Sequence, residues 1–543
     1  MPRTILAVDA GAATTAVALL GRPAGRWRLL GSLVAPAPAP PSAVATVLAG
    51  RIRAADPSLA DAVDLDPAAI DDLPRLEAVS QPPPSLAVLA ASRRAVGLLH
   101  DIARRTAYRV IAASPESHDP REMTDLALRP EVTTILVGAS EPPGPDERAA
   151  LDDVAGLVAA VLRRRPDVRA VVAGPLTARR AWTDALGDLV VGDRVLEAPP
   201  LGARSGPDEA LRETLEGVLR STNDTRHLAM RALVSLADVL DRRIELVEIG
   251  FDGGLRAVAW PGVADEGPSA EGVRSADAAL IPPDPDEAAV EEVLAWTTGS
   301  LDRHRMGDRL RDLRSEPWAD TTGEGARLRL AAARAAMTRL VEITPDLSGR
   351  PVADLTLVAG GAFAAAPGGS VVLAVADVIR RTGATQVALD HARLLGPLGS
   401  IDDPDDRRDL VADLADDLLA PLGSLVVVAG MPPRLRGRAA TGTVSLESAD
   451  GPATGSAPRR ELATGELAFL DLAPGRQATA TLEFRDSARI GRRARRFSVA
   501  VSGGLAGVVV DLRDVPLRLP DRRDRRRAAL ATWGEPVWPG DDR

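Results

Sequence analysis

Two acids in this chain stand in the same setting. Asp9 ends the apolar run Ile5–Val8 and precedes Ala10-Gly11, while Glu248 lies in IELVEIGFDGG and precedes Ile249-Gly250. An unpaired carboxylate in a buried run costs several kcal/mol, so each acid must sit at a strand end, in a turn, or beside a cation. A glycine two residues on lets the backbone approach a ligand, and successive N–H groups in such a turn form a cradle for an anion. The chemistry on offer is therefore a carboxylate for a cation next to backbone donors for an anion. The competing reading is a plain hairpin whose acid caps its own turn. A further glycine pair, Gly360-Gly361, follows the apolar run Leu355–Ala359.

The elements that must position these residues can be read from periodicity. Residues 5–20, ILAVDAGAATTAVALL, predict a strand, a small-residue turn and a second strand over Thr14–Leu20, and residues 244–260 repeat that pattern. Between them, apolar strand candidates at 85–92, 132–140 and 167–175 alternate with helical patterns. One of these helices, PDERAALDDVAGLVAAVLRRR, has acids early and arginines late, as the helix dipole favours. Such alternation predicts parallel α/β layers. Residues 261–287, rich in Pro, Gly, Asp and Ser, predict a mobile loop. From about Ser424, short alternating segments separated by turn signals predict a small antiparallel β domain, followed by a charged, loosely docked tail.

Composition narrows the chemistry. The 543 residues carry a net charge of −10, which argues against nucleic acid or an anionic membrane as partner. There is no Cys, excluding thiolate nucleophiles, Cys-ligated metals and disulfides. There is also no Lys: all 66 basic side chains apart from His are arginine, so Schiff-base chemistry and a lysine contact to phosphates are excluded. Aromatics make up 2%, too few for a base-stacking platform. No uncharged run reaches membrane-spanning length and the start does not read as a signal peptide, so the expected compartment is the cytoplasm.

At these residues the chain resembles the actin-like ATPase superfamily of sugar kinases, actin and heat-shock chaperones, and within it the glutamate mutase L (MutL-like) family. LAVDAGAATTAVALL looks like that family's Asp-Ile-Gly-Ser-Thr-x-Thr-Lys hairpin, and TTILVGASEPPGPDERAALDDVAGL like its strand, small-residue loop and helix. VRAVVAGPLTAR, VALDHARLLGPLGSI and VAVSGGLAGVVVDLRDVPLRL look like its later segments, in the same order. The resemblance spans residues 3 to about 520. It implies an α/β fold: a duplicated ribonuclease-H-like (actin-like ATPase) core with a C-terminal antiparallel β domain. The expected divisions are 1–200, 201–421, 422–520 and a tail at 521–543. It further implies ATP and Mg²⁺ held by Asp9, Gly11, Thr14, Thr15, Glu248, Gly250, Gly360 and Gly361, with Asp9 toward the metal, and a protein partner, a cobalamin-dependent mutase.

Departures from the family pattern change the functional expectation. Ala12, Ala13 and Ala16 stand where the family has Ser, Thr and Lys. The second hairpin reads Glu248-Ile249-Gly250-Phe251-Asp252-Gly253-Gly254-Leu255, without the family's two threonines and final Asp. The middle loop Gly138-Ala139-Ser140-Glu141-Pro142-Pro143 has lost most of its glycines. Removing one transition-state donor typically costs about 10²–10³ in rate, so the joint loss predicts a pseudo-ATPase that acts by binding. A working ATPase or small-molecule kinase, and an interaction protein without nucleotide, are the alternatives. Elsewhere, Asp402, Asp403, Asp405 and Asp406 predict a helix cap rather than a metal site. The arginines of RRARR at 492–496 predict an edge strand kept from pairing.

Overall fold

The structure, a computed structural model, describes residues 3–139, 145–190, 194–199, 209–219, 224–263, 266–318, 321–430, 441–448 and 459–538. The chain divides into two units, one of Met1–Gln81, Asn223–Gly272 and Ala278–Arg543, the other of Pro82–Thr222 and Val273–Asp277.

In the first unit, β1 (Thr4–Ala10), β2 (Thr14–Gly21), β3 (Arg28–Pro36) and β4 (Arg75–Val79) form a sheet in the order β3-β2-β1-β4. β1 runs antiparallel to β2 and parallel to β4. Leu6, Val8, Val17 and Leu19 pack on Val44, Leu48 and Ile52 of the helix Pro41–Ala55, whereas Ala7, Ala18 and Leu20 face the helix Thr225–Leu240. Both faces are buried, which is why these strands read as nearly continuous apolar runs.

The second unit carries β5 (Ser85–Ala90), β6 (Arg109–Ala113), β7 (Val132–Gly138), β8 (Arg169–Ala173) and β9 (Val195–Glu197) in the order β6-β5-β7-β8-β9. Every pairing in it is parallel, as the strand–helix alternation predicts.

The remaining strands return to the first unit, β12 only as far as Gly272: β10 (Ile244–Ile249), β11 (Gly254–Trp260), β12 (Ser269–Ser275), β13 (Leu355–Ala359), β14 (Gly383–Leu389), β15 (Ala420–Val427), β16 (Gly442–Ser448), β17 (Arg460–Leu462), β18 (Leu467–Leu470), β19 (Gln477–Ile490), β20 (Arg492–Ser502) and β21 (Val508–Asp511). Eight of them build one sheet, β12-β11-β10-β13-β14-β15-β21-β18. Its first four strands repeat the order of the β1 sheet, again with an antiparallel central hairpin and a parallel fourth strand. β12 takes up part of the stretch expected as a mobile loop: Gly272 lies so close to β11 that a Cβ there would stand 2.7 Å from Ala257 Cβ.

The C-terminal strands divide between two sheets. β18 and β21 extend the large sheet, while β17-β16-β19-β20 form a separate antiparallel one. The two pack face to face through Val426, Val508 and Val510 on one side and Val444, Leu482 and Phe497 on the other. β20, with its arginines, is an edge strand, as expected. The described part of the tail, 521–538, is docked rather than loose: in the helix Arg523–Gly534, Leu530 is buried and the Trp533 ring lies 4.5 Å from the Arg513 guanidinium. Among the described residues no helix is long and apolar enough to cross a membrane.

Candidate functional site

The two acids occupy equivalent places. Asp9 lies opposite Ala16 across its hairpin and Ala78 along β4, and Glu248 lies opposite Leu255 and Ala359. Each hairpin is closed by its glycine: the Gly11 N–H donates to Thr14 O at 2.9 Å and the Gly250 N–H to Gly253 O at 2.9 Å. Sequence symmetry is thus matched by backbone symmetry, but the side chains around the two acids differ.

At the first hairpin, Thr225 Oγ1 donates to Asp9 Oδ1 at 3.2 Å. Burial holds the Asp9 carboxyl above its ordinary range, against the pull of Arg393, this hydrogen bond and Arg226. Arg393 Nη1 donates to Thr14 Oγ1 at 2.6 Å. Gly361 makes room for the same guanidinium, since a Cβ there would stand 2.7 Å from Arg393 Nη2. Asp390, at the end of β14, accepts the N–H groups of Leu394 (2.9 Å) and Leu395 (3.1 Å) and so caps the short helix Leu395–Gly399. Burial pushes it up to about 6, and the charge of Asp9 adds to the rise.

At the second hairpin a guanidinium fills the turn. Arg226 Nε lies 3.0 Å from Glu248 Oε2, and Arg226 Nη2 donates to Gly253 O at 3.0 Å. Gly250 is what admits it, because a Cβ at that position would lie 2.5 Å from Arg226 Nη2. Burial pushes Glu248 up to about 7 despite Arg226, with the charges of Asp9 and Asp224 acting in the same direction as burial. Arg314 covers the neighbouring turn residues, 4.4 Å from the Phe251 ring and 2.7 Å from Asp252 Oδ1.

The eight expected site residues therefore separate. Asp9, Thr14, Glu248, Gly250 and Gly361 meet at one place through Arg226 and Arg393. Gly11 closes its own turn. Thr15 sends its hydroxyl to Ala39 O at 3.1 Å, into the loop after β3. Gly360, with φ +96°, is required by packing, as a Cβ there would stand 2.2 Å from Ile249 O. In the middle loop, Ser140–Pro143 lie outside the described residues. Sequence reasoning missed Thr225, Arg226, Asp390 and Arg393. With 66 basic residues all arginine, residue type could not single out two of them.

What this arrangement can do chemically is limited by its own charges. The charge of Asp9 raises both Glu248 and Asp390, and two guanidiniums, Arg226 and Arg393, are set against these three carboxylates. Among the described residues no three His, Asp or Glu side chains converge as a metal centre. A magnesium–triphosphate clasp needs free backbone donors at both hairpins. At the second turn the Gly250 N–H and the Arg226 guanidinium are already engaged, with Gly253 O and Glu248, so neither stands as a free donor there.

The chain matches no protein-family model and no curated protein. Similar solved structures include an Aquifex aeolicus Ppx/GppA phosphatase, 8% identical, covering 75% of this chain and 88% of that one at a TM-score of 0.19. A PilM–PilN type IV pilus biogenesis complex is 12% identical over 76% of this chain and 97% of that one, TM-score 0.20. A carbohydrate kinase from Novosphingobium aromaticivorans is 13% identical over 77% and 100%, TM-score 0.21. All three are of the actin-like ATPase superfamily. With TM-scores this low, nothing about this chain rests on them.

Proposed function

We propose that the chain is an actin-like ATPase fold that has given up nucleotide turnover and acts by binding a protein partner. The repeated strand order supports the fold, and one observation carries the loss of turnover: the Arg226 guanidinium, bonded to Glu248 and Gly253 O, stands inside the turn that a phosphate would need. Phosphoryl transfer depends on positioned donors and cations around the transferred group. Here Ala12, Ala13 and Ala16 supply none at the first hairpin, and Phe251 and Leu255 supply none at the second. Purified protein with Mg²⁺–ATP should show turnover no faster than its Asp9→Ala variant, measured as phosphate release. A clear Asp9-dependent rate would return the chain to the ATPases or kinases.

The first hairpin supports a second element of the proposal. Its turn has Arg393 bonded to Thr14 Oγ1 in place of the Arg226–Glu248 pair, and the charge of Arg393 also acts on Asp9. Weak nucleotide binding at this hairpin alone, without hydrolysis and without a clasp formed by both hairpins, is what this reading expects. A ligand at about 100 times its Kd stabilises a protein by about 2.7 kcal/mol, visible as a melting shift. No shift at millimolar ATP would leave interaction as the sole activity. The family resemblance makes a cobalamin-dependent mutase the first partner to try in a pull-down.

A further inference from the structure

A cavity in the first unit lies beneath the C-terminal helix Arg523–Gly534. It encloses about 620 Å³, within the range of small-molecule sites. Three of the seven tryptophans in the chain line it: Trp296, Trp533 and Trp538. Leu328, Leu373 and Leu530 complete its apolar wall.

Two cations line this space: Arg327, whose guanidinium stands 5.4 Å from the Trp538 ring, and Arg334, which reaches it from the protein interior. Arg334 is 8% exposed, and its Nε donates to Asp377 Oδ2 at 2.7 Å. Its two terminal nitrogens have no hydrogen-bond partner among the described residues. Behind it runs a chain of alternating charge. Asp377 Oδ1 accepts from Arg513 Nη1 at 2.7 Å, Arg513 pairs with Asp511 at 2.7 Å, and Arg380 Nη2 donates to Asp511 Oδ1 at 2.9 Å. Three guanidiniums against two carboxylates leave one positive charge uncompensated, 3 − 2 = +1. An uncompensated charge in a buried network is costly unless a counter-ion meets it. The free end of the network, Arg334, is the member that lines the cavity.

We propose that this cavity binds a small organic carboxylate with a planar apolar body. The two free Nη groups of Arg334 form the fork that takes both oxygens of a carboxylate. The surplus charge at the free end of this network favours an anionic group beside Arg334, and the carboxylate supplies it. The three indole rings supply apolar surface to the body of the ligand, although Trp533 and Trp538 each carry a guanidinium over the ring, Arg513 at 4.5 Å and Arg327 at 5.4 Å. At the rim, the exposed Glu324 and Glu535 oppose a second anionic group. None of the hairpin residues lines this cavity, so the proposal is independent of the function assigned to the hairpins.

The test uses the full chain and calorimetric titration with 2-naphthoate, its neutral isostere 2-naphthamide, and ATP. The expected result is naphthoate bound at least about tenfold tighter than the amide, the usual size of a charge-assisted hydrogen bond. Trp538→Ala should weaken both ligands, and Arg334→Met should erase the preference for the acid. Should Arg334→Met fail to fold, Leu373→Trp fills the cavity while leaving the Arg334–Asp377 pair in place, and it should cost naphthoate binding about tenfold or more. Equal binding of acid and amide, no binding of either at about 1 mM, or displacement of naphthoate by ATP would overturn the proposal.

Discussion

Glu248 has a pH signature that its hairpin partner arginine does not hide. Its carboxyl is held at about 7 in the fold against an ordinary value of 4.5, because burial outweighs Arg226. Between those values the folded chain binds more protons at this site than the unfolded chain. The contribution is therefore fully present below about 4.5 and is lost as the pH rises through about 7. Asp390, held at about 6, adds a term of the same sign over a lower window. Melting temperature should thus fall from pH 5 to pH 8, and Glu248→Gln should flatten that slope. An unchanged slope in the variant would remove Glu248 as its source. At this scale the sequence was informative about acids and poor about cations. Asp9 and Glu248 stand out because a carboxylate interrupts an apolar run. Thr225 and Arg393 do not, because they lie 216 and 379 residues from the Asp9 and Thr14 they bond, and Arg226 does not because nothing sets it apart from the other arginines.

The helices behind the hairpins meet at backbone distance, and glycine is the reason. A Cβ at Gly399, in the helix Leu395–Gly399, would stand 1.9 Å from Leu228 O in the helix Thr225–Leu240. Backbone cannot swing aside as a side chain can, so Gly399→Ala should destabilise by about 2 kcal/mol or more by chemical denaturation. Gly156, in the helix Pro145–Arg164, has nothing within 4 Å of its would-be Cβ. Gly156→Ala should instead stabilise by about 0.5–1 kcal/mol, through helix propensity. If both variants behaved alike, close packing would not be what fixes this helix crossing. Strands and helices of this kind were legible from periodicity: β1, β2, β10 and the parallel strands β5, β7 and β8 fall where apolar runs predict them. β12 was not, because SAEGVRS carries no apolar alternation and is held by its neighbour β11 rather than by its own pattern.

For the molecule as a whole, the C-terminal strands belong to the core as much as to a layer of their own. Asp511, at the end of β21, is fully buried and ion-paired to Arg380 and Arg513, and Arg513 is paired in turn to Asp377. Stopping the chain before Gly504 would strip Asp377 and Arg380 of these partners and uncover the edge of β15. Leaving one side of a buried pair typically costs about 3–5 kcal/mol. Such a truncation should lose cooperative melting, whereas a chain ending after Pro520 should keep it with a lower midpoint. A cooperative core in the shorter chain would show the C-terminal strands to be dispensable. Local alternation announces a β region after Ser424, but which sheet each strand joins is decided by pairing partners far along the chain, as β15 with β21 illustrates.

That pairing has a consequence during synthesis. β15 ends at Val427 and β21 begins at Val508, 508 − 427 = 81 residues later. At ordinary translation rates the ribosome needs roughly 4–16 s to deliver that length. Throughout that interval an apolar strand at the margin of the large sheet has unpaired amide and carbonyl groups on one side, the arrangement that recruits strands from other chains. Nascent polypeptides halted between these two points should therefore associate with one another or with chaperones, and release from both should coincide with the emergence of Val508–Asp511.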